Sequence, residues 1–189
     1  MLRFIFLTAS FAVAGLSQPA LAETVHPHQP YAPLQSRAIK ALSDDQISDL
    51  EAGRGMGFAL SAELNGYPGP RHVLDFAERL GLTQTQLGRT EALFASMQAE
   101  TIYLGKNLIL QERLLDQMFA DKVADRIALS TMAAEIGETQ GKLRAAHLRY
   151  HLTMAELLTP QQVKAYAQLR GYGEPSGVLD NHDSRSHAH

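Results

Sequence analysis

The chain has 189 residues, eight histidines, no cysteine and no tryptophan, and a formal net charge of −3 at pH 7. A chain without cysteine uses neither a disulfide framework nor thiolate metal ligands, and the slight acidity leaves no broad basic surface for nucleic acid. By length, the residues after the first 22 make one domain, and its stability has to come from packed helices.

The N-terminus reads as an export signal. Arg3 supplies a short positive region, residues 4–16 are apolar, and Ala20-Leu21-Ala22 is a small-x-small cleavage site. The apolar run is shorter than the roughly 20 residues of a membrane span. Cleavage after Ala22 is expected, the alternative being a retained N-terminal anchor. Residues 23–41, with His26, His28 and several prolines, read as a flexible leader.

Three copies of one pattern then mark helix starts: Leu42-Ser43-Asp44-Asp45-Gln46, Leu82-Thr83-Gln84-Thr85-Gln86 and Leu158-Thr159-Pro160-Gln161-Gln162. In each, the Ser or Thr hydroxyl accepts from a free backbone N–H of the first turn, and the Gln three residues on reaches back to the cap residue's own N–H. Pro160 sits at the first helical position, where a missing N–H costs nothing. The first helix is expected to run from Ser43 through Ile47 and Leu50, until Gly53, Gly55 and Gly57 interrupt it with a bend. No strand precedes that glycine run, so it is not a nucleotide-binding loop. Asn65-Gly66-Tyr67-Pro68-Gly69-Pro70 is a turn signal, after which a short helix is predicted from Pro70 through Leu80, ended by Gly81.

Two long helices come next, at 84–121 and 125–157, each carrying apolar residues at three-four spacing, with the turn between them at 122–124. Thr101 and Gln111 interrupt the first stripe at positions that should also face inward. An antiparallel pairing pivoting near Val123 sets Gly105 opposite Gly141; close helix approach or a bend would offset the cost of the interior glycines, and tolerated drift is the alternative. A last short helix is predicted over 160–171, and residues 173–189 form a disordered tail with His182, His187 and His189. The fold class is therefore all-α: a long antiparallel helical hairpin over a domain of 42–172, flanked by shorter helices. So thin a hairpin buries its two stripes poorly, and a homodimer is expected.

The paired Leu-Thr-x-x-Gln motifs, at 82–86 and 158–162, bracket the hairpin and resemble those of the Spy/CpxP-like family of periplasmic proteins. The resemblance covers about residues 42–172. It implies a periplasmic location, a dimer whose hairpins form a curved sheet of helices, and membership of a group that includes extracytoplasmic chaperones, stress sensors and heavy-metal sensors of the CnrX and ZraP kind.

His147 and His151 are the most distinct chemical feature. At i and i+4 they share one helix face, so both imidazoles can reach one ion. Met154 extends that face by a turn, and the antiparallel register sets His147 opposite Glu100, with Met97 and Glu91 nearby. His147, His151, Glu100 and Met154 form a donor set suited to Zn, Ni, Co or Cu; the tail histidines His182, His187 and His189 are weaker, additional ligands. The bland alternative is two partly buried histidines beside Tyr150 and an incidental tail. No nucleophile elbow, zinc-protease motif or phosphate loop is present, so an enzyme is not expected, and no organic cofactor is implied. Two functions compete: a periplasmic metal-binding protein that senses or buffers a transition metal in heavy-metal resistance or envelope stress, and an ATP-independent chaperone that holds unfolded clients. The expected partners are a second copy, unfolded proteins or an envelope signalling protein.

Overall fold

The structure, a computed structural model, describes residues 31–172. The export segment, the first part of the leader with its two histidines, and the tail carrying His182, His187 and His189 lie outside the described residues. Contacts divide the chain into Met1–Pro33 and Leu34–His189, with a 3-10 turn, Ala32–Ser36, running through the boundary.

Among its described residues, the regular structure of the larger unit is helical. It holds α1 (Asp44–Glu51), α2 (Leu60–Glu63), α3 (Pro70–Asp75), α4 (Gln84–Ala120), α5 (Arg126–Leu157) and α6 (Pro160–Leu169). Among the described residues there is no strand, only an isolated bridge between Ile39 and Leu42. The two long helices, α4 and α5, lie packed together and make the most extensive contact between elements, while α1 and α3 pack on α4.

All three capping boxes form in full, at Ser43, Thr83 and Thr159. The last two do more than start helices. The Gln86 Nε2 donates to Gln162 Oε1 at 2.9 Å, and Gln162 Nε2 donates back to Gln86 Oε1 at 3.1 Å. Each amide also donates to a carbonyl across the gap, Gln86 to Leu157 at 3.2 Å and Gln162 to Leu80 at 3.3 Å. Each Gln therefore closes its own cap and clasps the other helix start. Asp125 caps α5 by accepting from Ile127 and Ala128 N–H, and Lys122 makes the preceding turn at φ 58°.

The interior falls into two apolar clusters. One gathers Ile39, Leu42 and Leu50 on Leu108, Ile109, Ile136 and Leu143; the other gathers Val73 and Leu80 on Met154, Leu158 and Tyr166. The end of the leader is thus packed at Ile39. Ile39 is 1% exposed, because an apolar side chain beside α4 gains more from burial than the segment loses in chain freedom. Two other expectations shift. The helix at Pro70 stops at Asp75, where Phe76 leaves helical φ (−112°) and residues 76–82 close in turns ending on Gly81 at φ 60°. The close approach foreseen between Gly105 and Gly141 is made elsewhere. Gly105 lies under the C-terminal end of α1: a Cβ there would come 2.9 Å from the Leu50 carbonyl carbon and closer still to its oxygen, whereas Cβ atoms at Gly137 and Gly141 would meet nothing within 4 Å.

Opposite responses to alanine are expected from those surroundings. Gly137→Ala and Gly141→Ala should each stabilise by up to about 1 kcal/mol, the intrinsic helix preference of Ala over Gly. Gly105→Ala should destabilise despite the same preference, because backbone, not a flexible side chain, blocks the new methyl. Thr83→Ala and Thr159→Ala should each lose about 1 kcal/mol. Thermal or denaturant melts of the five variants test the set; equal signs at Gly105 and Gly141 would contradict the packing of α1.

Candidate functional site

Between the two apolar clusters the inward face of α5 turns polar. Its buried stripe runs Ile136, Thr139, Leu143, Ala146, then His147 and His151, then Met154. The two histidines face a cavity of about 510 Å³ walled by the 53–57 loop, Leu60 and Glu63 of α2, the start of α3, Phe94 and Met97 of α4, and Arg170 and Tyr172 beyond α6. The glycine run explains how the loop gets there. Gly53 (φ 64°) and Gly57 (φ 84°) take left-handed backbone freely, and Met56 is held at φ 44° between them. Gly53 seats on α4, where a Cβ would stand 2.6 Å from Thr101 Oγ1. Thr101, the polar interruption in the α4 stripe, is fully buried and donates to the Met97 carbonyl at 2.8 Å, with the Gly53 carbonyl 3.3 Å away.

His147 is 3% exposed and stacks on Phe58, ring centroids 5.8 Å apart and 14° from parallel. Its Nε2 is buried with no hydrogen-bond partner. Burial, seconded by the nearby His151 and opposed by Glu100, holds its pKa down to about 4, so the ring is neutral at neutral pH. His151 is fixed differently: Nδ1 donates to the Tyr67 carbonyl at 2.8 Å. That bond places the proton on Nδ1 and leaves the Nε2 lone pair as the available donor, the arrangement a metal-binding imidazole adopts. Gly69 lies against this ring, where a Cβ would come 2.8 Å from Cε1.

The third group is Glu63, a residue that no motif or spacing in the sequence singles out. It is 6% exposed. Its Oε1 accepts from Tyr166 Oη at 2.6 Å and from Arg170 Nε at 2.9 Å, and its Oε2 is buried without a hydrogen-bond partner, 3.7 Å from His151 Nδ1. The one available signal was Tyr166 itself, an inward tyrosine on α6 that needs a partner for its hydroxyl when buried.

The structure brings His147 and His151 to one cavity but sets Glu100 and Met154 apart from it. Glu100 is held by Arg149, whose Nη2 donates to both carboxylate oxygens at 2.6 Å, and it accepts from Tyr150 Oη at 3.3 Å. Arg149, two residues from each histidine, holds the carboxylate through one Nη2 shared by both oxygens, a charge-assisted contact. Met154 is fully buried in the cluster of Val73, Leu80 and Tyr166, where its thioether fills core space. Met97 and Glu63 occupy the cavity wall in their place. His72 lies on the rim, 3.2 Å from Asp75. Among the described residues no three His, Asp or Glu side chains already stand close enough to hold one ion. The donor chemistry nonetheless fits a borderline transition metal: two imidazoles, a carboxylate and a thioether side chain line one cavity, and two buried polar atoms, His147 Nε2 and Glu63 Oε2, lack partners. A second cleft of about 310 Å³, lined by Arg89, Ser96, Thr153 and Glu156 among others, contains no histidine.

Among the described residues no helix is long and apolar enough to cross a membrane. Comparison with known proteins finds no match to this chain, whether among family models, curated proteins or solved structures.

The buried His147 makes stability depend on pH. Its folded pKa of about 4 lies below the ordinary value near 6.5, so the unfolded chain takes up the proton first. The stability present above about pH 6.5 is lost as pH falls, by about 3 kcal/mol on reaching pH 4. Denaturant melts at pH 7.5, 5.5 and 4.5 should show this decline, and His147→Gln should flatten it. A parallel decline in the variant would mean that other groups carry the pH dependence.

Proposed function

We propose that the protein binds a transition metal through His147 and His151, with Glu63 supplying a carboxylate oxygen, and that it acts as a metal sensor or buffer in the periplasm. The observation that carries this reading is the pair of buried, partnerless polar atoms, His147 Nε2 and Glu63 Oε2, facing one cavity with the imidazole whose tautomer Tyr67 fixes. A buried polar atom without a partner costs about 1–3 kcal/mol, and a bound cation would satisfy the nitrogen and the oxygen together. The low pKa of His147 serves the same end, since neutral imidazole is the ligand form and no proton need be displaced at neutral pH. An ion held here supplies positive charge in a protein-lined cavity; the residues supply donors and a shape. The likeness of the paired Leu-Thr-x-x-Gln motifs to the Spy/CpxP-like family, in its heavy-metal branch, supports a cleaved signal and the same location, with α4 and α5 forming its antiparallel hairpin.

A second reading has its own observation. Tyr103, Leu110 and Leu114 lie exposed on one face of α4, and Phe119, Val123 and Ile127 lie exposed around the turn to α5, Ile127 at 81%. A face of this kind suits an ATP-independent chaperone with unfolded clients, and it also suits a second copy of the chain, the dimer expected for so thin a hairpin.

Calorimetric titration of Zn, Ni, Co and Cu into the chain lacking residues 1–22 tests the first reading. One ion per chain should bind tightly. His147→Ala with His151→Ala, and separately Glu63→Gln, should weaken that site at least tenfold, whereas removing the tail after Gly177 should remove only weaker binding. Binding that survives the double substitution and vanishes with the tail would assign the metal to the tail. Suppression of client aggregation without metal would favour the chaperone, and light scattering at micromolar concentration should give the mass of a dimer.

A further inference from the structure

The two oxygens of Glu63 are treated differently by the fold, and the difference has a direction. Oε1 takes two strong donors, Tyr166 Oη at 2.6 Å and Arg170 Nε at 2.9 Å. Oε2 is buried and takes none; the neighbouring His151 Nδ1, 3.7 Å away, spends its proton on Tyr67. The donors are themselves fixed. The Tyr166 hydroxyl oxygen lies 3.4 Å from the backbone nitrogen of Gly69 and accepts from it, which points the hydroxyl's own proton at Glu63. Its ring is 1% exposed and meets Phe76 edge-on at 6.5 Å. Arg170 is steadied by Tyr172, whose hydroxyl accepts from its Nη2 at 2.8 Å. A carboxylate held only by packing could turn either oxygen, or both, toward a cation. This one can offer only Oε2 while the two donors stay in place.

Resting on the metal reading above, we propose that Tyr166 and Arg170 are positioning residues that hold Glu63 by Oε1 and present Oε2 alone as a single-oxygen ligand to the ion. Partners of ligating groups act in this way by fixing orientation, and their loss typically weakens metal binding ten- to a hundredfold. The arrangement also ties the site to α6, since one positioning residue lies on the helix that Thr159 caps and the other directly after it.

Co²⁺ titration of the full chain, read by calorimetry and by visible absorption, tests the proposal. With one carboxylate oxygen and two imidazoles the wild type should show the strong visible bands of a low-coordinate Co²⁺ site. Tyr166→Phe keeps the ring and removes the donor. It should bind Co²⁺ ten- to a hundredfold more weakly and with weaker bands, because the released Oε1 joins the ion and raises its coordination number. Arg170→Gln, at the half-buried rim, should shift both readouts in the same direction and carries the test if Tyr166→Phe fails to fold, as judged by its circular dichroism melt. Thr159→Ala, which loosens α6 without touching Glu63, should keep the wild-type spectrum. Folded Tyr166→Phe and Arg170→Gln chains with wild-type affinity and spectrum would overturn the positioning role while leaving the metal reading intact. Weaker binding with an unchanged spectrum, matched by Thr159→Ala, would overturn it too, by showing that Tyr166 acts only through the stability of α6. A wild type that binds no Co²⁺, or binds it equally well after His147→Ala with His151→Ala, would overturn the metal reading and the positioning role with it.

Discussion

A carboxylate buried between two apolar clusters is the constraint on which the arrangement of this domain turns. Removing Glu63 from water is unfavourable by several kcal/mol unless donors replace the lost hydration. The donors come from far along the chain, Tyr166 and Arg170 on and just beyond α6. Satisfying Glu63 therefore requires α6 to return across α2, and the Gln86–Gln162 clasp fixes where α6 starts. Once α2 and α6 are joined, Gly69 and Tyr67 are carried against α5, and the Tyr67 carbonyl sets the tautomer of His151. The polar node thus ties α2 to α6 and α5, beside the apolar cluster that α3, α5 and α6 share.

The division of the core into two clusters has its origin in the same node. The α5 stripe cannot be apolar along its whole length, because His147 and His151 occupy its inward face between Leu143 and Met154. Each cluster is closed by separate short segments: α1 and Ile39 over one, α3 and α6 over the other. A continuous leucine stripe would bury as much area with no desolvation penalty, so the polar stretch is unexplained by packing alone. Polar groups set inside a core at the expense of stability are the usual mark of a site.

Much of the fold was legible in the sequence because its signals are local. A capping box depends on residues three apart, and all three formed. The extents of α4 and α5 came from apolar spacing, and the turn at 122–124 from its interruption. The illegible part depends on contacts far apart in sequence. Nothing local distinguishes Glu63, in a four-residue helix, from an exposed acid; its burial is decided by residues more than a hundred positions away. Glu100 looked like a ligand because register placed it opposite His147, but register does not reveal that Arg149, on the same turn as His147, takes the carboxylate first. The glycines divide the same way: their presence in the helices was plain, but only the packing of α1 shows that Gly105 is required while Gly137 and Gly141 face open space.

The loop at 53–57 shows where the remaining strain is kept. Met56 at φ 44° is a non-glycine residue in left-handed backbone, a conformation that costs of order 1 kcal/mol or more. It persists because both sides of the loop are held. On one side Gly53 seats on Thr101 and the Leu50 backbone on Gly105, and Arg54 is paired with Asp49 and Ser48; on the other, Phe58 stacks on His147. Relaxing the loop, at Met56 together with the left-handed Gly53 and Gly57, would draw Gly55 and Phe58 away from His147. The imidazole would then be open to water, its pKa would rise toward the ordinary value, and its ring would lose its stacking partner. Gly55 and Phe58 of the same segment lie against the His147 ring, so the cost of the backbone conformation at Met56 falls beside the buried, partnerless imidazole nitrogen.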